Sequence, residues 1–374
     1  MSNRSKRLLG VFIVAIIFSA FALIAMYEYR DAINSHSTPT SEVSSVLVSK
    51  PTQVFEPVLP DNPVIIPRDF AFHNEYQHGW WHFFANVQDQ YGEAYGVQWS
   101  YFRIASNDSN MSGWLSPQLF ISHIVVSNKD KVWREQRVAR GGIGQAGMTS
   151  KPFRIWIDNW SWRSLGRTPF PGLLDAQTDT FKVKLKTTTR GPFVIPRERG
   201  YVIKHDLLPI ASLNLTAPFL AVEGQLALSP TKVLSVKGTG WMSKEWGSGL
   251  LAEDQQGWDW FVFHLDDETT LSINRYRHQS QLPYVFGTLA TNDGKVTTLN
   301  NQDIEIAPIQ ETVLANGKRL PTRWMINIPE LDISLETQTL NNDLWLPFVL
   351  PYWEGPVMTT GSHTAQGFMQ LTGY

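Results

Sequence analysis

The chain has 374 residues, of which 43% are hydrophobic and 12% aromatic. That is too much for one ordinary core and too apolar for a disordered chain, so two folded units with extensions are expected. Setting aside Arg4, Lys6 and Arg7, 29 of the 32 basic residues stand against 34 acidic ones, leaving no basic excess for nucleic acid. Cysteine is absent, which excludes disulfides, thiolate metal sites, a Cys nucleophile and a lipoprotein anchor.

Leu8 to Tyr27 is an uncharged apolar run of 20 residues, the length that spans a bilayer as a helix. Basic residues precede it, whereas Glu28, Arg30 and Asp31 follow, so the positive-inside rule sends the rest of the chain across the membrane. A cleaved signal peptide ending near Ala20-Phe21-Ala22 is the competing reading. Apolar residues continue past Ala22 and favour a retained single-pass anchor over residues 1–30, with a bacterial inner-membrane location and the bulk of the chain in the periplasm. Residues 31–67 are rich in Ser, Thr and Pro, a composition suited to an extended tether.

Beyond Pro67 the pattern changes to short runs of Val, Ile, Thr, Phe and Trp. They are cut by turn signals such as Ser127-Asn128-Lys129-Asp130, Asn292-Asp293-Gly294 and Ala315-Asn316-Gly317. No long 3.6-residue period competes, so the expectation is all-β. The two halves also resemble each other. Gly79-Trp80-Trp81-His82-Phe83-Phe84 parallels Gly257-Trp258-Asp259-Trp260-Phe261-Val262, and Tyr101-Phe102-Arg103 parallels Arg275-Tyr276-Arg277. Further on, the runs beginning at His123 and Arg154 parallel those beginning at Thr288 and Arg323. Unchanged order at near-constant offset indicates a duplication. Units of this length, built from meandering antiparallel strands, close as barrels, which hide sheet edges and can hold one small ligand. The halves are drawn at 68–228 and 229–374.

From Asn74 to Tyr374 the chain resembles the AttH-type family, lipocalin-like proteins related to carotenoid 1,2-hydratase (hydroxyneurosporene synthase) and often labelled "predicted secreted hydrolase". The resemblance rests on Gly79-Trp80-Trp81-His82, Gly96-Val97-Gln98-Trp99-Ser100-Tyr101-Phe102-Arg103 and Gly240-Trp241-Met242-Ser243-Lys244-Glu245-Trp246. Gly257-Trp258-Asp259-Trp260-Phe261, Tyr352-Trp353-Glu354-Gly355 and the closing Leu371-Thr372-Gly373-Tyr374 complete it. It implies two tandem lipocalin-like (calycin) antiparallel barrels, an extracytoplasmic location and an apolar ligand, without fixing one activity. Three departures stand out. Gly79 replaces the family's usual Glu, Ser243 its usual Asp, and a tyrosine-rich strand is reduced to Tyr201. If relatives use those acids and phenols in catalysis, the resemblance implies that it is lost or altered here.

Three acids are catalytic candidates. Glu245 lies between Trp241 and Trp246, where burial would raise its pKa toward that of a proton donor. Asp259 lies between Trp258 and Trp260, so on a strand it faces opposite to both. If the tryptophans face outward it points into the barrel, where it either pairs with Arg275 or Arg277 or takes part in chemistry. Glu354 follows Trp353. The resemblance is what groups these three. Ligand-lining candidates are Trp80, Trp81, His82, Trp99, Tyr101, Trp241, Trp246, Trp258, Trp260, Arg275 and Trp353, against core packing as the plainer role for any tryptophan. His78 and His82 are four apart, but on a strand that is about 13 Å, too far to share an ion. No metal or cofactor is expected, since no Walker loop, dinucleotide fingerprint or Gly-x-Ser-x-Gly elbow is present. Two functions remain open: a tethered protein that binds an apolar or lipidic molecule beside an ABC-type transporter permease, and a hydratase or hydrolase acting on an isoprenoid or lipid by carboxylic-acid catalysis. A scaffold that contacts other envelope proteins through the outer faces of the barrels is a third, which closed and fully packed interiors would favour.

Overall fold

In the computed structural model, residues 55–109, 111–197 and 199–374 are described. The apolar run Leu8–Tyr27 and the tether as far as residue 54 lie outside them. Among the described residues regular structure is β throughout, apart from three single 3-10 turns, and no helix is long and apolar enough to cross a membrane.

The first sheet contains β1 (His78–Asp89), β2 (Ala94–Ala105), β3 (Gln118–Ser127), β4 (Val132–Arg140), β5 (Ala146–Ser150), β6 (Phe153–Ile157) and β7 (Trp160–Arg163). It continues with β8 (Gly172–Gln177), β9 (Lys182–Thr189), β10 (Tyr201–Ile203), β11 (Ala211–Ser229) and β12 (Lys232–Gly247). Its order is β4-β3-β2-β1-β12-β11-β9-β8-β7-β6-β5, with β10 beside β11. The second sheet contains β13 (Gln255–His264), β14 (Thr269–His278), β15 (Tyr284–Thr291), β16 (Val296–Leu299) and β17 (Glu305–Val313). After these come β18 (Arg319–Ile328), β19 (Ile333–Thr339), β20 (Trp345–Leu346), β21 (Tyr352–Gly361) and β22 (Gln366–Thr372). Its order, β16-β15-β14-β13-β22-β21-β19-β18-β17, repeats the first with two strands fewer on one flank. Each sheet curls nearly into a barrel of the lipocalin-like kind.

One expectation is corrected. The divide drawn at 228/229 falls inside the first sheet, because β12 pairs with β1 from Gly247 to Val236 and with β11 along most of its length. The second sheet starts only at Gln255. The motif Gly240 to Trp246 therefore closes the first barrel instead of opening the second.

Alternation decides what fills each interior. Trp81, Phe83, Trp99, Tyr101, Trp160, Trp162 and Trp246 point inward in the first unit and are almost wholly removed from water. Trp99 stacks on Trp162 at 5.9 Å, and Trp162 Nε1 donates to the carbonyl of Pro169 at 2.9 Å. The outer strands β4 and β5 are not neighbours in the ladder, so side chains bridge the gap. Arg137 reaches Asp158 at 3.5 Å and lies over the Trp160 ring at 4.2 Å, while Tyr101 Oη donates to the Trp156 carbonyl at 2.8 Å. The second interior is filled by Phe261, Phe263, Trp324, Trp353 and Met369 among aliphatic side chains.

The turn Arg68–Phe70 packs across one end of the first barrel, and Lys244 pins it from within. Lys244 Nζ donates to the carbonyls of Asp69 and Ala71 and lies 4.2 Å from the Trp246 ring centroid. Burial pushes its pKa from 10.5 down to about 7, because a neutral amine keeps enough protons for both carbonyls while a cation loses its water.

Two predictions follow from this packing. Trp99→Ala should cost about 3–5 kcal/mol in chemical denaturation, since it empties a core position, whereas Trp114→Ala, at an exposed site, should change little. Lys244 is depressed in the folded state, so between pH ~7 and ~10 the unfolded chain binds more protons and stability rises with pH. Denaturation midpoints across that window should show a shallower rise for Lys244→Met than for the parent.

Candidate functional site

The two barrels meet along outward faces. On β1 the side chains of Trp80, His82 and Phe84 point away from the interior that Trp81 and Phe83 fill, and strand pairing sets them beside Glu245, Ser243 and Trp241 of β12. Phe84 stacks on Phe368 at 4.4 Å and joins Trp241, Val262 and Trp260 in an apolar cluster between the barrels. Close approach is possible because residue 96 is glycine: a Cβ there would come within 2.7 Å of the Pro356 ring.

A buried polar chain runs through this seam. His82 Nε2 lies 2.7 Å from Glu354 Oε1, and its Nδ1 lies 2.7 Å from Ser100 Oγ. A carboxylate can only accept, so Nε2–H donates to Glu354, while Nδ1 and the Ser100 hydroxyl share a second hydrogen bond. Serine, imidazole and carboxylate thus stand in the order of a hydrolase relay. Ser100 is only 1% exposed, however, which withholds the hydroxyl from any substrate. Nearby, the Tyr352 hydroxyl and His123 Nδ1 share a hydrogen bond of 2.9 Å. Burial takes His123 down to about 3, so its ring is neutral, and burial together with the Glu354 charge pushes the Tyr352 phenol well above its usual range.

Toward the end where β1 begins, the seam is less tightly closed. Trp80, Phe102, Glu245, Trp258, Trp260 and Gln370 are half-buried there. The Glu245 carboxylate accepts from Lys204, whose ammonium also lies 5.5 Å from the Trp80 ring centroid. His78 stacks on the same indole at 5.3 Å, and its burial lowers the imidazole pKa well below normal. Across the seam, burial and the charge of Glu245 together raise the Tyr276 phenol. Trp258 leans on Tyr276 at 6.5 Å and donates Nε1 to Gln370 Oε1 at 2.8 Å, and the Gln370 amide in turn reaches Glu354 at 3.4 Å. Tyr276, Trp258, Gln370 and Glu354 thereby form one wall of aromatic, amide and carboxylate groups, whose Tyr276 end feels the charge of Glu245.

The three candidate acids do not converge. Asp259 points into the second barrel, fully buried, bound to Arg275 at 2.6 Å, to Arg277 and to the Tyr374 hydroxyl at 2.9 Å. It is an ion-paired core group, which corrects its grouping with Glu245 and Glu354, and Arg275 is committed to it. The lining set divides as well. Trp81, Trp99, Tyr101, Trp246 and Trp353 occupy the two interiors, where they take up the space a ligand would need. Trp80, His82, Trp241, Trp258 and Trp260 lie on the seam.

The structure adds a cluster that sequence reading missed, because its members are scattered along the chain. His205, Asp254 and His278 bring possible donor atoms within 4.8 Å of one another. The backbone N–H groups of Leu207 and Leu208 donate to His205 Nδ1 at 2.9 and 3.1 Å, which places that ring's proton on Nε2, facing Asp254. A metal ligand needs a bare nitrogen there, so the cluster fits a hydrogen-bonded clamp between the barrels better than an ion site.

Two nearly closed antiparallel sheets joined across a seam define a tandem lipocalin-like protein. The family described as AttH-like matches residues 57–374, and the chain belongs to it. An AttH-type protein from Nitrosomonas europaea is 26% identical, with TM-score 0.78 over 86% of this chain and 99% of that one. Kievitone hydratase from Nectria haematococca shares the fold at 15% identity and TM-score 0.62, covering 87% of this chain and 97% of its own. CghA, solved with Sch210972, shares it at 11% identity and TM-score 0.52, covering 87% and 98%. No functionally curated protein matches the chain.

Replacing Glu354 by Leu leaves the His82 N–H buried without an acceptor and should cost about 1–3 kcal/mol in denaturation experiments. The double variant His82→Leu/Glu354→Leu should lose less than the sum of the two single changes, a non-additivity that a double-mutant cycle would measure.

Proposed function

We propose that the chain binds a flat apolar or lipidic small molecule at the seam between its barrels, and not within either barrel. The observation that carries this reading is the set of half-buried aromatic side chains, Trp80, Phe102, Trp258 and Trp260, beside the Lys204–Glu245 pair. Ligand sites combine such apolar walls with a few fixed polar groups. The barrel interiors, by contrast, are occupied by their own tryptophans. In this reading the apolar run Leu8–Tyr27 holds the barrels on the outer side of a bacterial inner membrane, where tethering raises local ligand concentration and a transporter permease would be the natural partner.

A second reading adds chemistry at the same place. Glu245 is edged by indoles and paired with Lys204. Protonated by Lys204 or solvent, it would pass the proton to an alkene carbon, and aromatic faces would stabilise the cation formed. Water adding to that cation would lose a proton back to the Glu245 carboxylate. One fold neighbour bears the name of a hydratase, and that likeness supports the reading through the fold alone.

Native mass spectrometry of the full chain, purified gently in mild detergent, tests binding. A retained apolar mass is expected, lost in Trp80→Ala and Trp260→Ala and kept in Tyr91→Ala. No bound mass after incubation with a total lipid extract would overturn the proposal. For the catalytic reading, Glu245→Gln should abolish turnover of a bound alkene while leaving binding intact, and equal loss of both would mark Glu245 as structural.

A further inference from the structure

We infer that the end of the molecule where β1 begins rests in the surface of a lipid bilayer, and that the seam opens toward it. Strand register defines that end. His78 pairs with Ile104 and Gly247, Ala105 pairs with Gln118, and Leu213 pairs with both Trp246 and Tyr201. The loop 106–117 between β2 and β3 and the loop 204–210 between β10 and β11 therefore leave the first barrel on the same side. In the second barrel Gln255 pairs with His278 and Tyr276 with Tyr284, which puts the loop 279–283 at the corresponding end. Gln255 Nε2 donates to the Lys204 carbonyl at 2.8 Å, so the two ends are aligned.

The tips of these loops are apolar. Trp114 and Leu207 are each 74% exposed and Leu282 is 86% exposed, with Met111, Leu115 and Leu208 also open to solvent. Such residues at three separate tips, drawn from both barrels, are not the scatter expected of an ordinary surface. The opposite end differs. Its hairpin turns carry Lys129-Asp130, Asp266-Asp267-Glu268 and Asp293-Gly294-Lys295, and its exposed large apolar groups, Tyr91, Val233, Val296 and Met358, are set among these charged turns and strand ends.

Two further observations select a bilayer as the occupant. The described chain starts at the apolar end: Glu56 N–H donates to the Glu75 carbonyl at 3.0 Å, and Ser248 Oγ donates to the Glu56 carbonyl. Glu56, on the N-terminal side of which lies the apolar run Leu8–Tyr27 in sequence, is therefore held at the end that carries the exposed leucines and tryptophan. Second, Leu207 and Leu282 stand at this end of the seam, in loops tied together by His205, Asp254 and His278, with the two imidazoles 4.7 Å apart. Lys204, next to His205, is the partner of Glu245 in the proposed site. An apolar molecule could then pass between lipid and the aromatic wall without crossing water. Asp108 and Asp206 lie among the apolar tips, so contact is through inserted side chains with no demand for anionic headgroups.

The inference rests on the seam reading for the purpose of the opening, and on the apolar run for attachment, but its test is separate from both. The chain has no cysteine, so a single cysteine carries a nitroxide label without background. The full chain is incorporated into phosphatidylcholine nanodiscs as Leu115→Cys, Leu207→Cys and Leu282→Cys, with Tyr91→Cys and Val233→Cys marking the other end. Collision of the label with oxygen should rise relative to a water-soluble nickel chelate at 115, 207 and 282, and stay at the aqueous value at 91 and 233. Aqueous behaviour at all five positions, or lipid contact at 91 and 233, would overturn the inference. Failure of the chain to enter nanodiscs would instead defeat the anchor, and an empty mass spectrum would defeat the ligand site.

Discussion

The contact between His82 and Glu354 joins the two barrels at a point from which water has been removed. Neither group would be stable there alone: a buried carboxylate without a donor, or a buried imidazole without partners, costs more than a single hydrogen bond returns. Together with Ser100 and Gln370 they satisfy one another, and the aromatic cluster around Phe84 and Trp260 keeps the pair dry. The apolar contact sets how close the barrels come, and the polar one sets their register. Everything else at the seam, including the half-open region by Trp80 and Glu245, takes its geometry from that joint.

Two acids that look alike in sequence have ended in unlike surroundings. Asp259 sits between tryptophans much as Glu245 does, yet it faces the interior, where two arginines and a phenol surround it. Glu245 faces outward, with one lysine, one distant amide and half-buried aromatic neighbours. A carboxylate with every oxygen committed holds a barrel together. One with fewer partners at a partly open seam retains capacity to act on something else.

Much of this was legible beforehand. Turn residues and alternation identified the strands, and the parallel between Gly79–Phe84 and Gly257–Val262 located the first strand of each barrel. That Asp259 faces opposite to Trp258 and Trp260 followed from its place between them, whereas the face that is interior did not. What was not legible has a common physical cause, which is that pairing between distant strands leaves no local mark. Nothing in Lys232 to Gly247 says that its neighbour is β1, so the divide between barrels was drawn too early. Adjacent Trp80 and Trp81 differ only in which face is buried, and alternation separates them without saying which one is inside. His82 and Glu354 are 272 residues apart, and only the folded chain reveals them as a pair.

The strand order also bears on how the protein matures. Each barrel is completed by pairing its first strand with its last, β1 with β12 and β13 with β22. A chain emerging from its N-terminus can thus finish the first barrel once Gly247 is available, with the second still unmade. The facing surface of that finished barrel, Phe84 and Trp241 included, then stands bare until Glu354 and Phe368 arrive. During that interval the half-built molecule displays a sticky aromatic face, and a nearby membrane or chaperone would be its first companion before its own second half covers it.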